Sequence, residues 1–373
     1  MSSITIRSLL ILGLVLVGPA LAQAPATRPN PAVKQIGDAV SEERIAATMQ
    51  KLESFGTRYI LSEQDHPTRG IGAAQRWIFE EFKSYSPRLE VAYDRFTVKK
   101  GPRIAHDVEL ANVVAILPGT INKDRQVLVA GHYDSLAVRR RQGSQPGEGE
   151  GAPPPPAEVL PLAPGVVDDA SGTAAVLELA RVMSQHEFDK TIVFVAFSAE
   201  EVGLHGSRDY ARKAKEQKTA IEAVLNNDII GSDVAGNGRS ANSHLRVFAE
   251  GPEDSATRAL ARYTKDIAER YVPSMTVDLI FRRDRFGRGG DHSSFTREGY
   301  AAVRLSTPSE NFANQHTATD TFANASAPYT TRVAKINAAV LASLALAPKP
   351  PIVTREVTTG RSEERRVGKE CRL

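Results

Sequence analysis

Cysteine is almost missing from this chain: Cys371 is the single one in 373 residues. That excludes disulfides within one chain and any thiolate set for a metal. Net charge is low as well. The 47 basic and 44 acidic residues are interspersed and leave a formal charge of +3, without the basic stripe that nucleic acid or an anionic membrane selects. Apolar runs of bilayer length are lacking too. The run at residues 9–17 falls short of the roughly 20 residues a span requires, and no later segment approaches that length. Residues 1–22 read instead as an export signal, with Arg7 as the positive start, 9–17 as the apolar centre and Ala20-Leu21-Ala22 as a small-x-small cleavage site. The expectation is a mature chain from Gln23, periplasmic or secreted, with no membrane attachment after cleavage.

What is present is a globular composition, 41% hydrophobic and 24% charged, able to bury a sizeable core. Residues 23–40, rich in Pro and Ala, read as an extended N-terminal segment. Ser41 is placed to cap a helix carrying Glu42 and Glu43 in its first turn. A second helix covers 68–85, with Ile71, Ala74, Trp77, Ile78 and Phe82 on its buried face and Pro87 ending it. Strands follow at 89–99, 110–117 and 127–130, the last continuously apolar, as in a sheet covered on both faces. Residues 139–162 carry three consecutive arginines, several glycines and four consecutive prolines, an insertion loop near the mouth of any site. Helices at 169–185 and 203–215 then alternate with strands at 191–197, 223–230 and 244–250, before further helices at 254–271 and 329–346. The alternation predicts an α/β fold with a mixed, mostly parallel central sheet and helices on both faces. One domain is expected over 41–350, followed by a tail at 351–373. Residues 361–371 resemble the in-frame translation of a sequencing-library adapter and are set aside from fold reasoning.

Several chemistry-bearing side chains fall at strand ends or in the loops after them: His132, Asp168, Glu201, Asp228 and His316. Ligands in open α/β sheets bind beyond the carboxyl ends of the strands, so these residues are expected to meet. Five nitrogen and oxygen donors without sulfur suit zinc, cobalt or manganese. Three protein ligands suffice for one zinc with an open position. Five, one of them a bridging carboxylate, fit a pair of metals that generates hydroxide and polarises a carbonyl. Asp134 lies two residues beyond His132, on the same side of an extended strand end, where it can fix the imidazole tautomer. Glu200 and Glu201 stand side by side, so one can bind metal while the other acts as general base.

The stretches G-H-Y-D-S at Gly131, A-P-G-V-V-D-D-A-S-G at Ala163, A-E-E-V-G-L-H-G-S at Ala199, N-D-I at Asn227 and H-T-A-T-D-T at His316 occur in this order. Together they resemble the co-catalytic zinc exopeptidases of the bacterial leucyl-type aminopeptidase and glutamate carboxypeptidase family. Weaker similarity begins at Gly56-Thr57-Arg58 and continues through Gly290-Asp291-His292. The resemblance implies a three-layer α/β/α zinc exopeptidase fold of the phosphorylase/hydrolase-like kind and two zinc ions. It implies that Asp168 bridges them, that His132 and Asp228 hold one and Glu201 and His316 the other, and that Glu200 is the base assisting a metal-bridging hydroxide. The implied activity is hydrolysis of terminal peptide bonds, foremost as an aminopeptidase on a peptide or amino-terminal substrate.

The chain departs from the family pattern in places. Val167 stands where an acid often precedes the bridging Asp, and no clear counterpart exists for an oxyanion-stabilising tyrosine. The stretch Arg282-Arg283-Asp284-Arg285-Phe286-Gly287-Arg288 offers arginines for a substrate carboxylate or an ordinary surface cluster. Asp291 and His292 are read as pocket wall and His205 as a non-ligand. Three other readings stay open: a carboxypeptidase of the same family, a single-zinc enzyme like glutaminyl cyclase, and a non-catalytic binding protein on the same scaffold.

Overall fold

The computed structural model describes residues 29–101, 104–139, 158–284 and 288–348. The leader at 1–22, most of the 139–162 insertion and the tail at 351–373 lie outside the described residues. The first helix overturns one expectation. Residues 31–38 are not extended but helical, α1 (Pro31–Asp38), with Pro31 at its first position and the Asn30 side chain accepting from the Ala32 N–H. A proline whose φ already suits the first helical turn, preceded by a capping Asn, starts a helix rather than breaking one. Val33 and Ile36 bury its inner face.

The chain continues through α2 (Glu42–Glu53), capped as expected by Ser41, whose Oγ accepts from Arg44 N–H at 3.2 Å, and α3 (Gly70–Tyr85). Next come β1 (Glu90–Val98), β2 (Val108–Leu117), β3 (Asn122–His132), α4 (Ser171–Met183), β4 (Lys190–Phe197), α5 (His205–Glu216) and β5 (Ala220–Asn227). The remainder is β6 (His244–Phe248), α6 (Ala256–Tyr271), β7 (Thr276–Ile280), α7 (His292–Arg297), β8 (Ala302–Ser306) and α8 (Ala327–Ala345). The short elements β7, α7 and β8 have no counterpart in the sequence reading, being too brief for a periodic signal.

The eight strands form one mixed sheet in the order β1-β2-β4-β3-β5-β8-β6-β7. The block β4-β3-β5-β8 is parallel, while β1-β2, β2-β4 and β6-β8 pair antiparallel. β4 is interior, third from one edge, and buried along its whole length. Period-2 alternation sends Val127 and Val129 of β3 into the larger core with α1 to α4, α6 and α8, and Leu128 and Ala130 into the smaller core with α5 and α7. Phe197, Tyr210, Phe295 and Tyr300 form an aromatic cluster in the smaller layer. The result is a three-layer α/β/α architecture. From β3 the chain passes to β4 on one side and then to β5 on the other, the topological switch at which a crevice opens beyond the carboxyl ends. Among the described residues, no helix is long and apolar enough to cross a membrane.

Candidate metal centre

Register places the first contributors. His132 pairs with Phe197, and Ala130 pairs with Asn226, so β3, β4 and β5 end together and release His132, Ser198 to Glu201, and Asp228 at one edge. Asp228 lies one residue past β5, where the sequence reading had kept it inside a strand. Asp168 comes from the turn Val166–Ala170 before α4, in which its backbone leaves helical geometry at φ −119°, ψ 90°. Gly165 enters that turn at φ +52°, and a side chain there would stand 2.5 Å from Ser135 Cβ, so only glycine fits. His316 arrives on the loop after β8, and its carbonyl accepts from Val138 N–H at the stem of the insertion.

All five predicted donors are brought together. His132, Asp168 and Asp228 form one group and Asp168, Glu201 and His316 a second, each with its donor atoms within 4.8 Å of one another. His132 Nε2 is 3.2 Å from Asp168 Oδ1; His316 Nε2 is 3.1 Å from Asp168 Oδ2 and 2.9 Å from Glu201 Oε2. Two ligands of a tetrahedral zinc, each about 2.0–2.2 Å from the ion, lie about 3.4 Å apart, close to these separations. Bond direction supports the same fit. His132 Nδ1 lies 3.1 Å from the Asp134 carbonyl, which only accepts, so Nδ1 carries the proton. Nε2, the other ring nitrogen, faces a carboxylate oxygen and is buried without a hydrogen bond, as is Glu201 Oε1. Such facing atoms need a proton or a metal cation between them, and the donor set suits zinc.

Protonation responds to the same crowding. Burial would lower the proton affinity of both imidazoles. The Asp134 and Asp168 contacts of His132, and the Glu201 and Asp168 contacts of His316, outweigh it and hold both well above the ordinary range. Glu200 moves up by burial and by the charges of Asp228, Glu201 and Asp291, despite His132 nearby.

Asp134 faces His132 with its carboxylate, 3.6 Å from Nδ1, and does more than expected: the same carboxylate accepts from the N–H groups of Glu200 at 3.1 Å and Glu201 at 3.2 Å. Its carbonyl takes the Nδ1 proton, while its side chain also pins the Glu200-Glu201 turn. His205 starts α5, and neither it nor His292 nor Asp291 joins either donor group. Asp291 is buried with both carboxylate oxygens unpartnered and is pushed up to about 7 by burial. Two arginines of 282–288 turn to neighbouring acids: Arg283 to Glu250 at 2.9 Å, and Arg288 to Asp284 at 3.7 Å and Glu310 at 3.9 Å. Residues 285–287 lie outside the described residues.

Four supporting residues escaped the sequence reading. Asp169 accepts from the N–H groups of His132, Gly172 and Ile229, tying three chain segments to one carboxylate. Asp320 accepts from Val167 and Asp168 N–H and so aims Asp168. Arg58, fully buried, donates to the carbonyls of Leu52, Tyr133, Pro164 and Gly165. Arg304 donates to Asp228 at 3.2 Å. Only position signalled the first three, since each sits inside a quoted stretch: Asp169 beside Asp168, Asp320 in the His316 motif, Arg58 after Gly56-Thr57. Arg304 had one weak signal, an arginine in an otherwise apolar strand.

The model of peptidase family M28 matches residues 112–341. A "Probable zinc metalloprotease" of Pyrenophora teres f. teres is 36% identical, over 90% of this chain and 72% of its own length. Among solved structures, the LapA aminopeptidase of Legionella pneumophila aligns with TM-score 0.62 at 21% identity, over 85% of this chain and 75% of that one. The glutaminyl cyclase of Fimbriiglobus ruber aligns with TM-score 0.60 at 18% identity, over 81% and 95%. The chain belongs to peptidase family M28 and is a zinc metallopeptidase.

Proposed function

We propose that the protein is an exported aminopeptidase that binds two zinc ions through His132, Asp168, Asp228, Glu201 and His316. The observation that carries this reading is that the two donor groups share Asp168, a carboxylate with an imidazole nitrogen facing each of its oxygens. Bound there, two divalent cations would lower the pKa of a water and polarise the scissile carbonyl; cobalt or manganese are chemically able substitutes. Glu200 is the general base: its carboxylate would take a proton from the attacking water and return it to the leaving amine nitrogen. Asp134 holds Glu200 for that task through its backbone N–H.

Attack at the amino end is favoured by the polar cavity beside Asp168, lined by Glu310, Asn311, Asn314 and Gln315, where Gln315 Nε2 donates to Asp168 Oδ2 at 2.9 Å and the Glu310 carboxylate supplies a negative charge for an ammonium group. Arg283 and Arg288 already face acids, which weakens the case for a carboxylate-reading pocket. Similarity to the LapA aminopeptidase points the same way. The glutaminyl cyclase neighbour keeps a second chemistry in view, and a shared bridging carboxylate with two donor groups favours the two-metal hydrolase. The test is a panel of free and N-acetylated amino-acid p-nitroanilides, dipeptides with blocked carboxyl ends and N-terminal glutaminyl peptides, run with zinc-loaded protein. Turnover of free-amine substrates alone is expected. Cleavage that needs a free carboxylate, or ammonia release without chain shortening, would replace the reading. Export is checked by amino-terminal sequencing of secreted or periplasmic protein, expected to begin at Gln23.

A further inference from the structure

We infer that Arg304 is a positioning residue for the cation site of His132, Asp168 and Asp228, holding Asp228 in a one-oxygen ligating pose, and that Asp284 in turn holds Arg304. The inference rests on the proposed ligand set. Arg304 lies in β8 between Asn226 of β5 and Phe248 of β6, deep in the sheet. It is 1% exposed, with Asp228 at 3% and Asp284 at 5%. A guanidinium so far from water is tolerable only when its donors meet charged partners. Nη2 donates to Asp228 Oδ1 at 3.2 Å, while Nη1 donates to Asp284 Oδ2 at 3.0 Å and to the Gly289 carbonyl at 3.3 Å. The planar fork thus spans two buried acids at once.

The other side of Asp228 is confined as well. A side chain at Gly290 would come within 2.7 Å of Asp228 Oδ2, so backbone closes directly over that oxygen. With one oxygen held by N–H and the other beneath glycine backbone, the carboxylate cannot turn to offer both oxygens to an ion. Partners of this kind commonly contribute a factor of about 10–100 in metal affinity. Asp284 comes from the arginine-rich stretch 282–288, so the one acid there turns inward to anchor the fork while Arg283 turns to Glu250.

Two roles can be separated by substitution. If Arg304 only balanced negative charge, lysine would serve equally, and a neutral residue would tighten cation binding by removing a nearby positive charge. If it positions Asp228, lysine keeps the charge but cannot span both acids. Zinc is titrated into metal-stripped protein by competition with a fluorescent chelator, with folding followed by circular dichroism. In Arg304→Lys the equivalent that Asp228→Asn abolishes is expected to weaken by about 10–100-fold, while the other stays unchanged. Equal binding of both equivalents in Arg304→Lys and wild type would overturn the proposal. If Arg304→Lys does not fold, Asp284→Asn takes its place: selective weakening of that same equivalent supports the proposal, and an unchanged titration overturns it. Wild-type protein that binds no zinc would overturn the ligand reading itself, and the role of Arg304 with it.

Discussion

Asp168 carries more of the site than any other residue, because each of its oxygens faces a different imidazole. Replacing it by asparagine removes the shared charge from both donor groups, so Asp168→Asn is expected to lose both zinc equivalents. Asp228→Asn should lose one; metal analysis after dialysis separates these outcomes. Glu200 lies outside both groups, and Glu200→Gln should keep the metal complement while turnover falls by about 10²–10⁴-fold, the usual worth of a general base. Undiminished kcat would remove Glu200 from the mechanism. Arg58 makes a structural prediction. Four carbonyls depend on its guanidinium, which burial pushes down to about 10, so it stays charged at neutral pH. Leaving buried acceptors unsatisfied costs about 1–3 kcal/mol each, so Arg58→Met should lower unfolding stability by about 3 kcal/mol or more in urea melts. The donors themselves were legible because each sits inside a recognisable stretch. Asp169, Asp320 and Arg304 were not, since a carboxylate that accepts backbone N–H groups, or a guanidinium that spans two acids, shows no period or spacing in sequence.

At the scale of elements, the long periodic segments were readable and the short ones were not. α2, α3, α4, α6 and α8 appear within a few residues of their expected bounds, each signalled by apolar spacing and often a cap. β7 and β8, of five residues each, were not read although β6, equally short, was, and β8 places Arg304. The reading of 31–38 as extended failed because it weighed proline as a breaker and ignored its place after Asn30. α1 packs its buried face toward α8, away from the donor groups. Ile36, 1% exposed, should therefore matter for stability and not for chemistry. Ile36→Ala is expected to cost about 2–5 kcal/mol, the range for emptying a buried aliphatic site. Calorimetry and steady-state kinetics on one preparation check both halves, and a changed KM with unchanged stability would contradict this placement. Strain gathers near the donors: Ala199, Ile229 and His316 all take positive φ, a cost of about 1–3 kcal/mol apiece that surrounding contacts must offset.

For the whole molecule, the convergence of carboxylates makes stability depend on pH and on metal. Burial pushes Asp291 and Asp320 from 3.8 up to about 7. The folded chain then holds protons that the unfolded chain has released, so their stabilisation is lost as pH rises from about 4 to about 7. His132 and His316, raised above 6.5, act in the same direction: their contribution is full below that value and disappears as pH climbs through the folded one. Metal-stripped protein should therefore melt at progressively lower temperature from about pH 5 to about pH 8, and added zinc should restore most at the upper end, where it no longer competes with protons. A stripped protein whose Tm rises across that interval would contradict the electrostatic picture.

What the sequence determined alone was a set of local patterns: apolar periods that specify helices and strands, and five donor residues sitting where those periods stop. Those depend on neighbours within a few positions, so they can be read from order. Only the tertiary structure decided which strand lies beside which, that β3, β4 and β5 end in step, and that Arg304 reaches Asp228 and Asp284 across the sheet. Such contacts join residues many positions apart, and direction and distance, which composition and spacing do not carry, settle whether two acceptors face each other closely enough to call for a cation.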